Sequence, residues 1–311
     1  MFGRKKKTND VASDETLSDG PHPENLSKAQ VKRATRTRKT FALMTSFFLL
    51  ISIIFLILVE IGCTYNRAVL RDIYFLNLDL SHIIPASVPN AVLINTIAQT
   101  VGLHDFYRVG LWGFCEGYLN QGVTDCTKPQ TLYWFNPVQI LLNQLLSGAS
   151  IALPTQITDV LDLVRVVSHW MFGLFLSGAC LVFLMIFLTP LSVYSRWLAF
   201  FVSIFTFLAA LLITVASVIA TVMFIIFQNR AANAGSDINI EASIGTEMFV
   251  FMWIASAFAI LAWLIQMGLC CCCASRRDVK RGKKMGSKKA YDGHVPDMSE
   301  KPKRRFGRKK T

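Results

Sequence analysis

Charge is scarce in this chain of 311 residues, because Asp, Glu, Lys and Arg make up only 17% of it, against about 25% in an ordinary soluble protein. The scarcity is confined to residues 41–273, which hold 7 basic and 11 acidic side chains among mostly apolar residues. Residues 1–40 hold 10 basic and 5 acidic side chains, and residues 274–311 hold 15 and 4. This distribution excludes an ordinary soluble domain and predicts a membrane protein with two basic tails.

Patterns that carry enzyme chemistry are also missing. The sequence has no Gly-rich phosphate loop, no nucleophile elbow and no zinc-protease motif, and its histidines are too scattered to supply a metal site. The long apolar runs hold no ionisable side chain in their central parts, which argues against an ion-coupled transporter, because moving charge needs a partner inside the bilayer. We therefore expect a protein that is not an enzyme, with no catalytic residue, cofactor or metal.

Four apolar runs are long enough to cross a membrane, since a helix needs about 20 mostly apolar residues to span a hydrocarbon core of about 30 Å. They predict an all-α membrane protein, a bundle of four transmembrane helices. The predicted spans are residues 41–61, 168–189, 197–227 and 246–270. The third span is longer than a bilayer requires, so we expect its outer end to project beyond the membrane.

Lysine and arginine predict the orientation, because short flanking segments rich in them stay in the cytoplasm. They cluster before the first span and after the fourth, so residues 1–40 and 271–311 are predicted to be cytoplasmic tails, with a cytoplasmic turn at 190–196. The loops at 62–167 and 228–245 are net acidic and are predicted to be extracellular. The tails have few large apolar side chains, so we expect them to be unstructured.

Two cysteines of the first extracellular loop are predicted to pair. Cys115 and Cys126 lie in an oxidising compartment, where disulfides persist, and closing the short loop between them stabilises a fold by about 3 kcal/mol in the chain-entropy account. Cys63 lies outside the first span and is left over. It can be free, buried or paired with another chain.

The first extracellular loop carries further folding signals. Apolar and polar residues alternate over 76–80, which is the pattern of a half-buried strand. Residues 110–118 and the segment around Cys126 are expected to form a hairpin, and the apolar run 138–153 is expected to form a helix on the membrane face or on the strands. These signals predict a small β-sheet and a helix, stapled by the disulfide, above the bundle.

Four adjacent cysteines end the fourth span: Cys270, Cys271, Cys272 and Cys273. Neighbouring side chains on a helix point in different directions, which disfavours a metal site. Cysteines beside a span on the cytoplasmic side are the usual substrates of S-palmitoylation, which we predict here. Simple packing at the helix end is the alternative.

The basic C-terminal tail holds more charge than topology requires. Clusters of four to eight Lys and Arg beside a span bind anionic lipids of the inner leaflet, whereas an unfolded tail offers no surface that reads nucleic acid. For the N-terminal tail, plain topology signalling is an equal alternative. The predicted lipid contacts are Arg276, Arg277, Lys280, Arg281, Lys283, Lys284, Arg304 and Arg305.

The order Gly110, Leu111, Trp112, Cys115 and Cys126 between the first two spans resembles the signature of the claudin-like tetraspan superfamily. With the aromatic stretch at 133–137, residues 40–270 look most like the fungal SUR7/PalI family. The resemblance implies a non-catalytic plasma-membrane protein. It also implies that Trp112 and the cysteine pair are structural, and a Trp beside a small disulfide is expected to pack on it.

Members of that family resemble organisers of cortical patches linked to eisosomes, which affect endocytosis and cell-wall integrity. The function expected by this resemblance is the organisation of plasma-membrane domains, through lateral self-association or association with other cortical membrane proteins. Small-residue faces in the spans suit close helix contact within the bundle or between copies. The alternative, from the PalI branch, is an auxiliary subunit in ambient-pH or stress signalling.

Overall fold

The computed structural model describes residues 28–81, 104–136, 155–238, 241–272 and 276–280. The predicted helix at 138–153 lies outside these ranges. The chain divides into two compact units, one of residues 38–273 and the other of the two tails. The helices are α1 (Lys28–Ala34), α2 (Arg36–Ile61), α3 (Thr155–Leu191), α4 (Arg196–Ile238), α5 (Thr246–Cys272) and α6 (Arg276–Lys280). The strands are β1 (Leu76–Asp79), β2 (Phe106–Val109), β3 (Phe114–Tyr118), β4 (Gly122–Cys126) and β5 (Glu241–Ile244).

Helices α2, α3, α4 and α5 are each long and apolar enough to cross a membrane, which confirms the four predicted spans. Helix α4 has 43 residues, about 65 Å at 1.5 Å per residue, and therefore exceeds the thickness of a bilayer. It continues past the predicted span end at residue 227 to Ile238. The protein is thus a multi-pass membrane protein in which α4 packs against both α3 and α5.

Small buried side chains occur on both α4 and α5, which pack against each other. Ala209 and Ala216 of α4 and Ala255 and Ala262 of α5 are fully buried, whereas many large apolar side chains of the same helices are exposed. In a membrane, helices associate through close packing and interhelical hydrogen bonds, because lipid is as apolar as a leucine side chain. The large exposed side chains are therefore the lipid-facing surface, and the small ones allow the backbones to approach.

Hydroxyl groups join α5 to both α2 and α4. Ser52 Oγ of α2 donates to the carbonyl oxygen of Ala255 at 2.8 Å, and the hydroxyls of Thr214 and Ser256 lie 2.7 Å apart. All three side chains are at least partly buried. Each bond satisfies a polar group that lipid could not solvate.

A five-stranded antiparallel sheet, in the order β4-β3-β2-β1-β5, lies at one end of the bundle, called here the sheet end. The predicted strand near residue 76 and the hairpin of β3 and β4 are both present, and residues 110–113 form the turn between β2 and β3. Leu76 pairs with Val109 on one side and with Ile244 on the other. Strand β5 was not predicted, since residues 228–245 were predicted only to be an extracellular loop. The sheet therefore draws on both extracellular loops.

Aromatic contacts seat the sheet on the helices. The Phe75 ring stacks on Phe224 of α4 at 4.9 Å between centroids and meets Phe249 of α5 edge to face at 6.2 Å. Leu76 and Leu78 of β1 and Tyr107 and Val109 of β2 belong to the same apolar core as the buried residues of the four spans. One continuous core thus joins the sheet to the bundle.

The opposite end of the bundle is held by Arg38, only 1% of whose surface is exposed. Its guanidinium donates to the carbonyl oxygen of Ser192 at 2.7 Å and to that of Ser195 at 3.4 Å. Both carbonyls belong to the turn between α3 and α4, where the last carbonyls of α3 lack helical partners. Arg38, predicted only as a topology signal, therefore also ties α2 to this turn.

The tails are not wholly unstructured. Residues 1–40 and 271–311 were expected to be unfolded, but α1 and α6 are helical, and α2 already begins at Arg36. Val31 and Ala34 of α1 are 4% exposed and Val279 of α6 is 1% exposed. A short apolar stripe next to each span buries enough surface to order these segments, and the average composition of the tails conceals it.

Candidate functional site at the sheet end

The predicted disulfide joins β3 and β4, the hairpin at one edge of the sheet. Cys115 of β3 and Cys126 of β4 are directly opposite in the sheet, and their Cα atoms are 4.0 Å apart. The β4 edge is further held by the Asn66 side chain, whose amide donates to the carbonyl oxygen of Val123 at 2.9 Å. The hairpin is thus fixed covalently within the sheet and by hydrogen bonds to the segment after α2.

Gly110 lies where the turn after β2 meets the end of α2. A Cβ atom at this position would lie 2.5 Å from the carbonyl oxygen of Gly62 and 2.8 Å from Cβ of Cys63. Gly62 is restricted in turn, because its own Cβ would lie 2.7 Å from the carbonyl oxygen of Ile73 and 2.8 Å from Cε of Met248. Glycine is needed at both positions because two backbones approach each other closely.

Trp112 joins the sheet to two spans. Its indole N–H donates to Glu60 Oε2 of α2 at 3.0 Å, and its ring meets Phe172 of α3 edge to face at 4.7 Å. The preceding residue, Leu111, is buried in the main apolar core. The Gly-Leu-Trp triplet therefore places three successive residues at the junction between sheet and bundle.

The expected packing of Trp112 on the disulfide is wrong. The disulfide belongs to a separate small cluster with Cys63, Phe106 and Val123, whereas Trp112 packs against the main core. The reason is the turn at residues 110–113, closed by the Gly110 N–H donating to the Gly113 carbonyl oxygen at 2.8 Å. Sequence proximity to Cys115 could not show that this turn directs the indole toward the helices.

Cys63 is a free and fully buried thiol. Its backbone is left-handed, with φ of 52°, which is uncommon for a residue other than glycine. Its thiol lies 3.9 Å from the carbonyl oxygen of Arg71. Burial raises the pKa of the Cys63 thiol from 9.0 to about 12, so it is protonated and unreactive at neutral pH.

A narrow apolar crevice lies beside the junction. Its walls come from the sheet, from residues 133–135 and from α3 and α4, with Met171 and Phe224 among them. Burial raises the pKa of the Tyr133 hydroxyl above its ordinary value, so it stays protonated. The Arg165 guanidinium lies over the Trp134 ring at 5.7 Å. The aromatic stretch singled out in the sequence thus packs the sheet end onto the spans.

The predicted acylation and lipid-contact residues are described only in part. Helix α5 ends at Cys272, and the Cys270 side chain is half-buried. The side chains of Cys271 and Cys272 and the whole of Cys273 lie outside the described residues, so acylation stays a prediction. Arg276, Arg277 and Lys280 lie in α6. The other predicted lipid contacts, Arg281, Lys283, Lys284, Arg304 and Arg305, fall beyond the part of the chain that the structure describes.

The chemistry available at the sheet end is that of packing and hydrogen bonding. Among the described residues, no group of three His, Cys, Asp or Glu side chains is placed to hold a metal ion. The contacts around Gly110, Trp112 and the disulfide instead hold one surface in one shape.

Residues 41–265, which include the sheet and all or most of each span, match the family model described as the SUR7/PalI family. The chain belongs to the SUR7/PalI family. Protein PUN1 of Saccharomyces cerevisiae is 27% identical over 238 residues, which cover 71% of this chain and 88% of PUN1. The SUR7 family protein pun1 of Schizosaccharomyces pombe is 26% identical over 175 residues, 52% of this chain and 59% of that protein.

Replacement of Trp112 by Phe is expected to lower the free energy of unfolding by about 1–2 kcal/mol, because the Glu60 carboxyl loses its indole donor. Thermal unfolding of the purified protein in detergent measures this. Glu60→Gln keeps an oxygen acceptor for the indole and is expected to stay close to wild type. Trp197→Phe is the matched control, since Trp197 is 74% exposed. Equal effects of both Trp substitutions would refute a specific role of Trp112.

Cys63 is expected to resist alkylation by a maleimide in the folded protein. At pH 8 a pKa of about 12 in place of 9.0 lowers the thiolate population of Cys63 about a thousandfold. Its rate of alkylation should rise about tenfold per pH unit as long as the pH stays below the raised pKa. Peptide-level mass spectrometry resolves this site from the other cysteines. Leu119→Cys, at an exposed turn of the same sheet, is the reactive control. Labelling of Cys63 at the control's rate would contradict its burial.

Proposed function

We propose that this protein is a non-catalytic organiser of plasma-membrane cortical domains, acting in membrane and cell-wall integrity and in endocytosis. The observation that carries the proposal is the junction at Gly110 and Trp112, which fixes a disulfide-stapled sheet rigidly on four spans. A rigid head with fixed shape serves lateral recognition between membrane proteins. Family membership supports the proposal, because residues 41–265 match the SUR7/PalI family.

In this proposal the sheet end faces the outside and both tails face the cytoplasm. The disulfide between Cys115 and Cys126 supports the outer placement, since disulfides persist in oxidising compartments. The Lys and Arg residues beside α2 and α5 support the inner placement of the tails. Lateral contacts then form through the sheet and the spans, and the tails contact anionic lipids of the inner leaflet.

Imaging of a fluorescently tagged full-length chain tests the proposal. Stable plasma-membrane patches with slow recovery after photobleaching are expected for the wild type. Gly110→Ala, which forces a side chain against Gly62 and Cys63, is expected to disperse them. Gly173→Ala is the matched control, because no atom lies within 4 Å of its added Cβ. A diffuse wild-type signal, with loss of growth at alkaline pH on deletion, would sink this proposal in favour of the auxiliary signalling subunit.

Replacement of the cysteines from Cys270 to Cys273 by Ala is expected to abolish S-acylation, because they stand directly before the basic tail in the sequence. Acyl exchange on the full-length protein measures it. Cys180→Ala is the control, since Cys180 is an exposed cysteine within a span. Unchanged labelling of the four-cysteine variant would disprove acylation at these residues.

A further inference from the structure

The two tails meet through short helices in one compact unit, although they stand at opposite ends of the chain. Helix α1 precedes the first span, α6 follows the fourth, and the two pack against each other. Residues 28–37 and 276–280 carry seven Lys and Arg side chains and a single acidic residue, Asp278. Two basic segments are thus brought together.

Apolar side chains are buried on both helices, while basic ones remain exposed. Val31 and Ala34 of α1 and Val279 of α6 are buried. Lys32 and Arg33 of α1 and Arg277 of α6 are exposed. The three- and four-residue spacing of a helix separates these two faces. Packing of the apolar faces therefore leaves exposed basic side chains on both helices, against the single acidic residue Asp278.

Bringing like charges together opposes this packing, since each pair of neighbouring cations repels and the repulsion is weakened only by solvent and salt. Three small buried side chains are a modest apolar contact to set against it. A multivalent anion bound across both helices removes the repulsion and adds attraction. A lipid with a single negative charge neutralises one cation at a time. It would therefore bind equally well to two separate tails and would not favour their packing.

We propose that α1 and α6 form one basic surface that binds the headgroup of a polyphosphoinositide in the inner leaflet. The headgroup carries several phosphates on one ring, and its charge matches a compact cluster of Lys and Arg. The proposal deepens the proposed function and rests on its cytoplasmic placement of the tails. It differs from simple tail binding, because neither tail alone supplies the surface.

The experiment titrates the purified full-length protein in detergent with short-chain phosphatidylinositol bisphosphate by calorimetry. One headgroup per chain is expected. Lys32→Gln with Arg33→Gln, and separately Arg277→Gln with Lys280→Gln, should each weaken binding about tenfold or more. The matched control, Lys309→Gln with Lys310→Gln, removes the same charge far along the tail and should leave the affinity within about twofold.

Val279→Ser tests the packing itself without changing charge, and it is expected to weaken binding about as much as either pair of charge substitutions. Two headgroups per chain, an unaffected Val279→Ser variant, or equal affinity for short-chain phosphatidylserine would each overturn the proposal. Free inositol trisphosphate carries the same phosphorylated ring and is expected to bind with similar affinity, whereas its binding without any binding of the short-chain lipid would identify a soluble phosphate ligand and overturn the lipid assignment. Membrane patches are scored separately, so loss of headgroup binding with intact patches would refute this inference alone.

Discussion

Close backbone approach at the sheet end is the constraint on which the rest of the structure depends. Gly62 follows α2, Gly110 follows β2 and Gly245 precedes α5, and a Cβ on any of them would collide with a neighbouring backbone or side chain. At Gly245 the collision is with the carbonyl oxygen of Tyr74, beside β1. Because these contacts are between main chains, no side-chain rearrangement can replace them. They seat strands from both long loops on the ends of the spans.

Once the strands are seated, the other contacts at this end become possible. The Gly245 N–H donates to the carbonyl oxygen of Phe75 at 3.2 Å, which places β5 beside β1. The same seating stacks Phe75 on Phe224 and turns Trp112 toward Glu60. The disulfide then links the two strands of the hairpin, β3 and β4, at the edge of the sheet opposite β5. A covalent bond and a tight backbone contact thus hold the two sides of one small sheet.

Local patterns were sufficient for the spans, the hairpin and the disulfide, because each depends on residues close together in the sequence. Strand β5 has only four residues, Glu241–Ile244, and it exists because β1 offers it a partner more than 150 residues earlier in the chain. The partner of Trp112 is also distant in the sequence, since Glu60 lies 52 residues earlier, in the first span. In the sequence Arg38 is only one more positive charge, because the carbonyl oxygen that it binds belongs to the distant turn at Ser192. Long-range contacts of this kind leave no periodic trace in a sequence.

In the proposed function, the sheet end and the basic tails act through forces that respond differently to their surroundings. Covalent and close-packed contacts at the sheet end are insensitive to salt, whereas attraction between basic tails and anionic lipid falls as ionic strength rises. An organiser of a membrane domain would use both kinds of contact. Shape at the sheet end would then set which neighbours fit, while charge on the tails would respond to the lipid composition of the inner leaflet.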